Sequence, residues 1–290
     1  MISGMMVLMI LPSPPESFAW TEHAGGPALV CAPLAEVATH FLTTRFWPLG
    51  THRRERTGED PWRAVADAAG VGIDRLIRVR QVHGISIAMG VRVSEERPPA
   101  ADIVIARDTT LACAVQVADC VPLLIADRKT GAVAAVHSGW RGIALNAAGV
   151  AVDALGREWG SAPENLVAAL GPSIGACCYE VGVDVRTRFA DRGISEDALS
   201  RWFLAEPAAS DRNPSMPAVV ERPATRNNRW FFDGWRAVTD QLQSAGLSVN
   251  HIFAANLCTA SHPDVFCSYR RDGDTAGRQV GVIRSRPPRP

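Results

Sequence analysis

The apolar residues between positions 76 and 137 fall into six short runs separated by polar or glycine-containing segments. The runs are LIRVRQV, SIAMGV, DIVIA, LACAVQV, VPLLIAD and AVAAVHS. Short apolar runs bounded by turn residues predict β-strands, and DRKTG at 127–131 predicts a turn that joins two of them as a hairpin. Further strands are predicted at 28–34, 39–45, 165–171, 250–256 and 278–284.

Apolar residues at helical spacing and capping residues predict four helices, at 60–70, 143–159, 182–190 and 233–245. Asp60 before Pro61 and Asp233 are the expected N-caps, and Gly160 is the expected C-terminal stop. Helices and strands follow one another irregularly rather than in βαβ alternation. This order favours an α/β sandwich with mixed sheets over a Rossmann fold.

The chain of 290 residues is long enough to bury a large core. We predict one domain over 26–285, preceded by a disordered or over-extended start at 1–25 and followed by a short tail at 286–290. Segment 205–228 carries four prolines and few large apolar residues, which predicts a surface loop or mobile lid. The start lacks the basic segment of a signal peptide, and no run of about 20 apolar residues predicts a membrane span.

Charge and cysteine usage narrow the functional class. Thirty basic and thirty acidic residues cancel, so no global field attracts nucleic acid. Seven cysteines without regular spacing do not form a disulfide framework and predict reduced thiols in the cytoplasm. We expect a monomer or homodimer that acts on a small molecule.

Three ligand-type residues, His83, Cys120 and His137, each stand near the end of an apolar run. Two imidazoles and one thiolate suit zinc, and a three-ligand site leaves a fourth position for substrate or water, as in catalytic sites. Asp119 and Gln81 are candidate partners that would orient the ligands. Taken singly, the three residues are also compatible with a turn histidine, a buried thiol and a satisfied polar side chain.

Two glycine-containing segments add candidate groups. In GPSIGACCYEVG (171–182), free backbone N–H groups would hold an anion, and Cys178 or Tyr179 would serve as nucleophile or proton donor. The alternative is a loop stabilised by buried cysteine, and Cys177 is expected in the core. Guanidinium groups suited to phosphate or carboxylate are Arg270, Arg271 and Arg278 in SYRRDGDTAGR, together with Arg141 and Arg45. A solvated charge run is the alternative for these arginines.

Taken together, QVHG, ADCVPLL, HSGWRG, GPSIGACCYEVG and SYRRDG resemble the laccase-domain family between residues 39 and 284. This family is also called the polyphenol-oxidase-like, purine nucleoside phosphorylase or peptidoglycan editing factor family. The resemblance implies an α/β/β/α sandwich related to the cytotoxic-necrotising-factor hydrolases, with zinc at His83, Cys120 and His137. Two departures are TTRFWPLG at 43–50, where the family has STRxGGVS, and an extra residue in RRDGDTAGR.

Members of the family are associated with phosphorolysis of adenosine, inosine and methylthioadenosine, and with adenosine deamination. Others are described as copper-dependent polyphenol oxidases, or as enzymes that remove wrongly incorporated serine from peptidoglycan precursors. A four-copper laccase needs about ten histidine ligands, largely in His-x-His pairs, whereas this chain has seven histidines and no such pair. Copper in the zinc site remains compatible with weak oxidase activity.

We therefore predict a zinc-dependent purine nucleoside enzyme. Its expected catalytic residues are Cys120, His137, Arg141 and Tyr179, and its expected phosphate-binding residues are Arg45, Arg270, Arg271 and Arg278. The alternatives are a peptidoglycan-precursor amidase, a copper-dependent oxidase, and a non-enzymatic protein whose metal is closed by a fourth ligand such as Cys178 or Asp102.

Overall fold

A computed structural model describes residues 11–47, 49, 60–90, 98–217, 219 and 228–286. Within these ranges the first sheet contains, in spatial order, β1 (Phe18–His23), β2 (Gly26–Cys31), β3 (Ala38–Thr43), β15 (Gln279–Ser285), β7 (Ala112–Val117) and β4 (Leu76–Ile77). The second contains β14 (Ile252–Ala254), β10 (Leu166–Leu170), β8 (Val121–Asp127), β9 (Val133–Ser138), β6 (Ile103–Ala106) and β5 (Ile87–Met89). A small third sheet contains β11 (Glu180–Gly182), β13 (Arg229–Phe232) and β12 (Phe203–Leu204).

The helices of the described residues are α1 (Ala32–Ala35), α2 (Arg63–Ala69), α3 (Trp140–Ala144), α4 (Ala147–Trp159), α5 (Val183–Ala190), α6 (Glu196–Trp202), α7 (Gly234–Ser244) and α8 (Tyr269–Asp272). The predicted ends of two helices are confirmed. Gly160 ends α4 in the left-handed conformation, and the Asp233 side chain accepts the Arg236 N–H at the start of α7. None of these helices is long and apolar enough to cross a membrane.

The two large sheets pack face to face, and helices cover their outer faces. Leu42 and Ile283 of the first sheet share one apolar cluster with Leu124 and Val167 of the second. A second cluster joins the outer face of the second sheet to α4 and α7, and a third joins the first sheet to α2. The layers therefore follow the predicted α/β/β/α order. Because it is covered on both sides, β8 buries all seven of its residues.

Both large sheets mix parallel and antiparallel pairs, as predicted. Strand β10 runs parallel to β14 and antiparallel to β8, and β7 runs parallel to β4 and antiparallel to β15. The predicted hairpin is formed by β8 and β9, with Pro122 opposite His137. The connection from β7 to β8 carries the chain from the first sheet to the second. Cys120 lies on this crossing.

The amino-terminal boundary of the predicted domain is wrong for the described part of 1–25. Phe18–His23 forms the edge strand β1, paired along its length with Gly26–Cys31, and Phe18 is buried. Residues 1–10 lie outside the described residues. At the other end, Arg286 of the predicted tail donates hydrogen bonds to Thr39 and to the Ala35 carbonyl; 287–290 are not described.

Two predicted strands differ in extent. The strand expected at 28–34 ends at Cys31, where Pro33 favours the first turn of α1. The run LIRVRQV is a strand only at Leu76–Ile77. Farther along the run, the Gln81 side chain takes the place of backbone groups in hydrogen bonding to strand β7. Its amide donates to the Gln116 carbonyl and accepts the Gln116 N–H, both at 2.7 Å.

The helical segments also differ from the prediction. The helix expected over 143–159 starts earlier, at Trp140, and is interrupted at Asn146, which adopts φ 61°. Asp60 accepts the Trp62 N–H at 2.9 Å, and α2 itself begins at Arg63. Helix α6 was not predicted.

The described part of segment 205–228 lies as bends and turns against the 171–182 loop. The Ser215 hydroxyl donates to the Cys177 carbonyl at 2.7 Å, and the Ala208 N–H donates to the Ala176 carbonyl at 3.2 Å. These contacts place the described residues of the segment over the loop as a cover.

Candidate metal site and substrate cleft

His83, Cys120 and His137 converge at the point where the chain passes between the two large sheets. One ligand atom from each residue lies within 4.8 Å of the other two. The Cys120 sulfur is 4.0 Å from His83 Nε2, and the two imidazole rings meet edge to face with 4.8 Å between their centres. Two nitrogens and one sulfur at this spacing fit a zinc or copper ion.

The open coordination expected from the sequence is consistent with this arrangement. Among the described residues no further histidine, cysteine or carboxylate joins the three ligands. The two residues considered as a fourth ligand lie elsewhere: Cys178 belongs to a separate group of thiols, and Asp102 contacts His137 through the ring nitrogen away from the ligand position. Three protein ligands leave a coordination position for substrate.

Asp102 is the residue that organises the site. Its carboxylate is fully buried and accepts four hydrogen bonds, one from His137 Nδ1–H at 2.7 Å and three from the backbone N–H groups of Val82, His83 and Gly84. One side chain thus fixes the His137 ring, leaving its Nε2 for a ligand, and the turn that carries His83. A metal-bound imidazole usually has such a carboxylate partner.

The residues predicted for that orienting role do something else. Gln81 binds the Gln116 backbone, and the Asp119 carboxylate accepts the Thr259 hydroxyl and the Arg270 N–H, each at 2.6 Å. The prediction was wrong because nearness in sequence to a ligand does not fix where a side chain points. Asp119 instead ties the Cys120 segment to the loop that carries Arg270.

Backbone geometry around the ligands is unusual. His83 and Asp119, which precedes Cys120, adopt positive φ values of 58° and 90°. Non-glycine residues rarely adopt such angles, and they cluster at functional sites where the surrounding contacts maintain them. Gly139, between β9 and α3, allows the ligands to approach: a Cβ there would lie 2.9 Å from the His83 ring and 3.0 Å from the Cys120 sulfur.

Cys120 and His137 shift each other's pKa. Burial opposes ionisation of the Cys120 thiol, but the neighbouring His137 and His83 lower its pKa to about 6. Burial also opposes protonation of His137, but the Cys120 sulfur and Asp102 raise its pKa to about 9. A thiolate is the form of cysteine that binds metal, so the lowered pKa of Cys120 favours metal binding, whereas His137 must release its proton when a metal binds.

The three ligands lie in a cleft of about 680 Å³. Predicted residues that line it, besides the ligands, are Arg141, Tyr179, Arg270 and Arg278. The Arg270 guanidinium lies 5.0 Å from the centre of the Tyr179 ring and donates to the Glu180 carbonyl at 2.7 Å. Burial raises the pKa of the Tyr179 hydroxyl, which therefore keeps its proton at neutral pH.

Two of the predicted anion-binding arginines do not line the cleft. Arg45 donates to the Pro263 carbonyl, and Arg271 is held by Asp272 and by the carbonyls of Thr259 and Phe266. Their guanidinium groups support loops. A sequence pattern of arginines on a glycine-containing loop does not distinguish the residue that faces the cleft from its neighbour that faces the protein.

The 171–182 loop also differs from the anion cradle expected from its sequence. Its N–H groups bind within the protein: Ile174 donates to the Asp119 carbonyl, and Cys178 and Tyr179 donate to the Gly175 carbonyl. Cys178 is fully buried and does not line the cleft. Cys177 is buried, as predicted.

A second recess of about 380 Å³ adjoins the cleft and was missed in the sequence. The two share His83, Trp140 and Arg141, and the recess adds Arg188 and Arg192. The Arg141 guanidinium lies 4.3 Å from the centre of the Trp140 ring, at the boundary. The available sequence signal was the four-residue spacing of Arg188 and Arg192, which predicts one face of a continuing helical turn.

Several known proteins are similar to this chain in sequence. A protein of Xylella fastidiosa (strain 9a5c) described as "Purine nucleoside phosphorylase" is 33% identical over 198 residues, covering 67% of this chain and 66% of its own length. "Purine nucleoside phosphorylase SCO2081" of Streptomyces coelicolor is 33% identical over 233 residues, covering 78% of this chain and 84% of its own. The match spans 60% of the length of a Bacteroides thetaiotaomicron relative, so the chain covers less than two thirds of several of these relatives.

The fold has solved counterparts. The crystal structure of YlmD from Geobacillus stearothermophilus matches with a TM-score of 0.70 and 25% identity, covering 92% of this chain and 99% of that one. The family model described as "Multi-copper polyphenol oxidoreductase laccase" matches residues 50–286. The chain therefore belongs to this laccase-like family.

Proposed function

We propose that this protein is a zinc-dependent purine nucleoside phosphorylase. The observation that carries the proposal is the open three-ligand site inside a cleft whose lining arginines include three that the sequence predicted, Arg141, Arg270 and Arg278. Phosphorolysis needs an anion beside a neutral nucleoside, and guanidinium groups are the side chains best suited to hold phosphate. The names of the relatives from Xylella and Streptomyces point to the same reaction.

Each part of the cleft has a role in this proposal. The three arginines hold phosphate against the ribose, where a phosphate oxygen forms a bond to C1′ as the bond from C1′ to the purine nitrogen breaks. The purine leaves with the bonding electrons and takes up a proton. Tyr179, protonated at neutral pH, is the proposed donor of that proton.

Aromatic walls suit a purine base. Tyr269 lines the cleft with about half of its side chain exposed, and Trp140 lines the same cleft. A base stacks on such rings with a favourable offset or edge contact. When bound, zinc would supply a Lewis acid with an open position for a polar substrate atom.

Zinc is proposed over copper because phosphorolysis involves no change of oxidation state, and zinc is a Lewis acid without redox chemistry of its own. We propose deamination of adenosine as a second activity of the same cleft. Oxidation of phenols and cleavage of a peptidoglycan-precursor amide are the outcomes to be tested against these reactions.

The test is product analysis by chromatography. Purified protein of known metal content is incubated with adenosine, with and without phosphate. Phosphate-dependent formation of adenine and ribose 1-phosphate supports the proposal, and inosine formed in both conditions supports deamination. Adenosine that stays unchanged with a zinc-loaded protein refutes the nucleoside function.

Variants connect the activity to the site. We expect His83→Ala and Cys120→Ala to lose both metal and phosphorolysis, while His251→Ala, whose imidazole lies on the surface near Arg128, keeps both. Full metal content and activity in the two ligand variants would show that the site has been misassigned.

A further inference from the structure

Three further thiols meet in the core of the protein, apart from the ligands of the cleft. The sulfur atoms of Cys177, Cys178 and Cys258 all lie within 4.8 Å of one another. Their side chains are at most 2% exposed, and none of them forms a disulfide. We refer to these three residues as the thiol cluster. The purine nucleoside reaction proposed above does not use it.

Two polar groups lie beside the cluster. The Gly175 N–H donates to the Cys258 sulfur at 3.3 Å, and the Ser261 hydroxyl lies 3.5 Å from the sulfurs of Cys177 and Cys178. The cluster therefore presents three sulfur atoms to one another in the buried core, and one of them accepts a backbone N–H.

A path from solvent leads to the cluster through Ser261. This residue also lines a surface pocket of about 510 Å³, together with His262. The His262 Nε2 atom is buried and has no hydrogen-bond partner among the described residues. Ser261 thus lies between this pocket and the thiols, and His262 lines the same pocket.

From this geometry we propose that the thiol cluster is a binding site for copper(I). Three sulfur ligands without an imidazole or carboxylate select soft cations. A monovalent ion fits this buried site better than a divalent ion does, because burying uncompensated charge is costly. Zinc prefers four ligands. The Ser261 hydroxyl would be the fourth here, but it already donates a hydrogen bond to the Pro214 carbonyl at 2.6 Å. Binding forms three copper–sulfur bonds and releases one thiol proton to solvent, so the net charge of the buried site is unchanged and no oxidation state changes.

The cover over the cluster is part of the site. The Cys178 thiol donates to the Pro214 carbonyl at 3.7 Å, and the Asn213 side chain accepts the Cys258 N–H at 2.8 Å. Residues of the 205–228 segment thereby close the cluster from the side of the 171–182 loop. This gives the segment a role separate from the substrate cleft.

The experiment measures copper(I) retained against a coloured chelator under anaerobic, reducing conditions. It uses the full chain carrying Cys120→Ala, which removes the thiolate of the cleft. We expect one copper(I) per chain and a sulfur-to-copper charge-transfer band in the ultraviolet. Adding Cys258→Ser should abolish both signals, whereas adding Cys113→Ser, a buried cysteine in β7 outside the cluster, should leave them unchanged.

A second variant is needed because Cys258→Ser places a hydroxyl in the core and could lose copper by failing to fold. Cys177→Ser should lose copper in the same way, and circular dichroism should show that at least one of the two variants folds. Retention of copper by a folded variant of either kind overturns the proposal, as does failure of Cys120→Ala to bind copper. Neither result bears on phosphorolysis, which the cleft variants test separately.

Discussion

Replacement of Asp102 by asparagine should weaken the metal site more than any other single-atom exchange near it. Each carboxylate oxygen accepts two hydrogen bonds, Oδ1 from His83 N–H and His137 Nδ1–H, and Oδ2 from Val82 and Gly84 N–H. Asparagine offers one acceptor oxygen, so at least two of the four bonds are lost and an amide donor faces N–H groups.

The expected magnitude follows from those contacts. A hydrogen bond to a charged group contributes about 1.5–3 kcal/mol, so the loss of two corresponds to about 3–6 kcal/mol divided between global stability and order of the 82–84 turn. Loss of a carboxylate that orients a metal-bound imidazole reduces metal affinity about 10–100-fold. At about 1.4 kcal/mol for each factor of ten, this is a loss of about 1.4–2.8 kcal/mol of binding free energy.

The assay is competition for zinc against a chromophoric chelator, with denaturant unfolding of the metal-free protein measured in parallel. Asp127→Asn is the matched control. Asp127 is equally buried, at the far end of β8, and uses a single oxygen to accept the Lys129 and Thr130 N–H groups, so asparagine can keep both bonds. Zinc affinity in Asp102→Asn equal to that of the parent protein would refute the orienting role.

Three further outcomes are expected. Burial lowers the pKa of His40 from 6.5 to about 4. Between these two pH values the folded state binds fewer protons than the unfolded state, so the free energy of unfolding falls as the pH drops, by at most about 3 kcal/mol. Denaturant unfolding at several pH values should show a smaller decline in His40→Gln. Gly139→Ala should reduce zinc binding, because its Cβ would contact the Cys120 sulfur at 3.0 Å. Arg141→Gln should raise the KM for phosphate about tenfold or more, since charge-assisted bonds contribute about 1.5–3 kcal/mol, and Arg45→Gln should leave it unchanged.

Each of these has a clear contrary result. An equal decline of stability with pH in His40→Gln would show that other groups control the acid transition. Normal zinc affinity in Gly139→Ala would mean that the ligands do not need their close approach. A phosphate KM that responds to Arg45 and not to Arg141 would locate the anion outside the cleft.

The sequence predicted strand β8 and two helix ends correctly because the local residue pattern matches the burial and capping that the structure shows there. The run VPLLIAD is apolar on both sides and forms a strand covered on both faces, and Asp233 and Gly160 occupy the helix ends that their chemistry favours. The convergence of the candidate metal ligands was predicted for a similar reason: His137 and Cys120 lie at the ends of adjacent strands, which bring them together.

What the sequence did not reveal depends on contacts between distant segments. Asp102 precedes β6 and looks like an ordinary strand-flanking acid, yet it binds residues about 20 and 35 positions away. Arg270 and Arg271 are neighbours with the same charge, and only the tertiary structure directs the first to the cleft and the second to the carbonyls of the loop behind it. Edge strand β1 was missed because its pattern is short and follows an apolar start.

The position of β15 has a consequence for synthesis. Among the described strands it comes latest in sequence, yet it lies in the middle of the first sheet, between β3 and β7. Until it emerges from the ribosome, β1, β2 and β3 remain separate from β7 and β4, and each part exposes an unpaired edge that favours aggregation. The first sheet is therefore completed only when residues 279–285 have been made, and a chain stopped just before Gln279 is expected to need a chaperone or to be degraded.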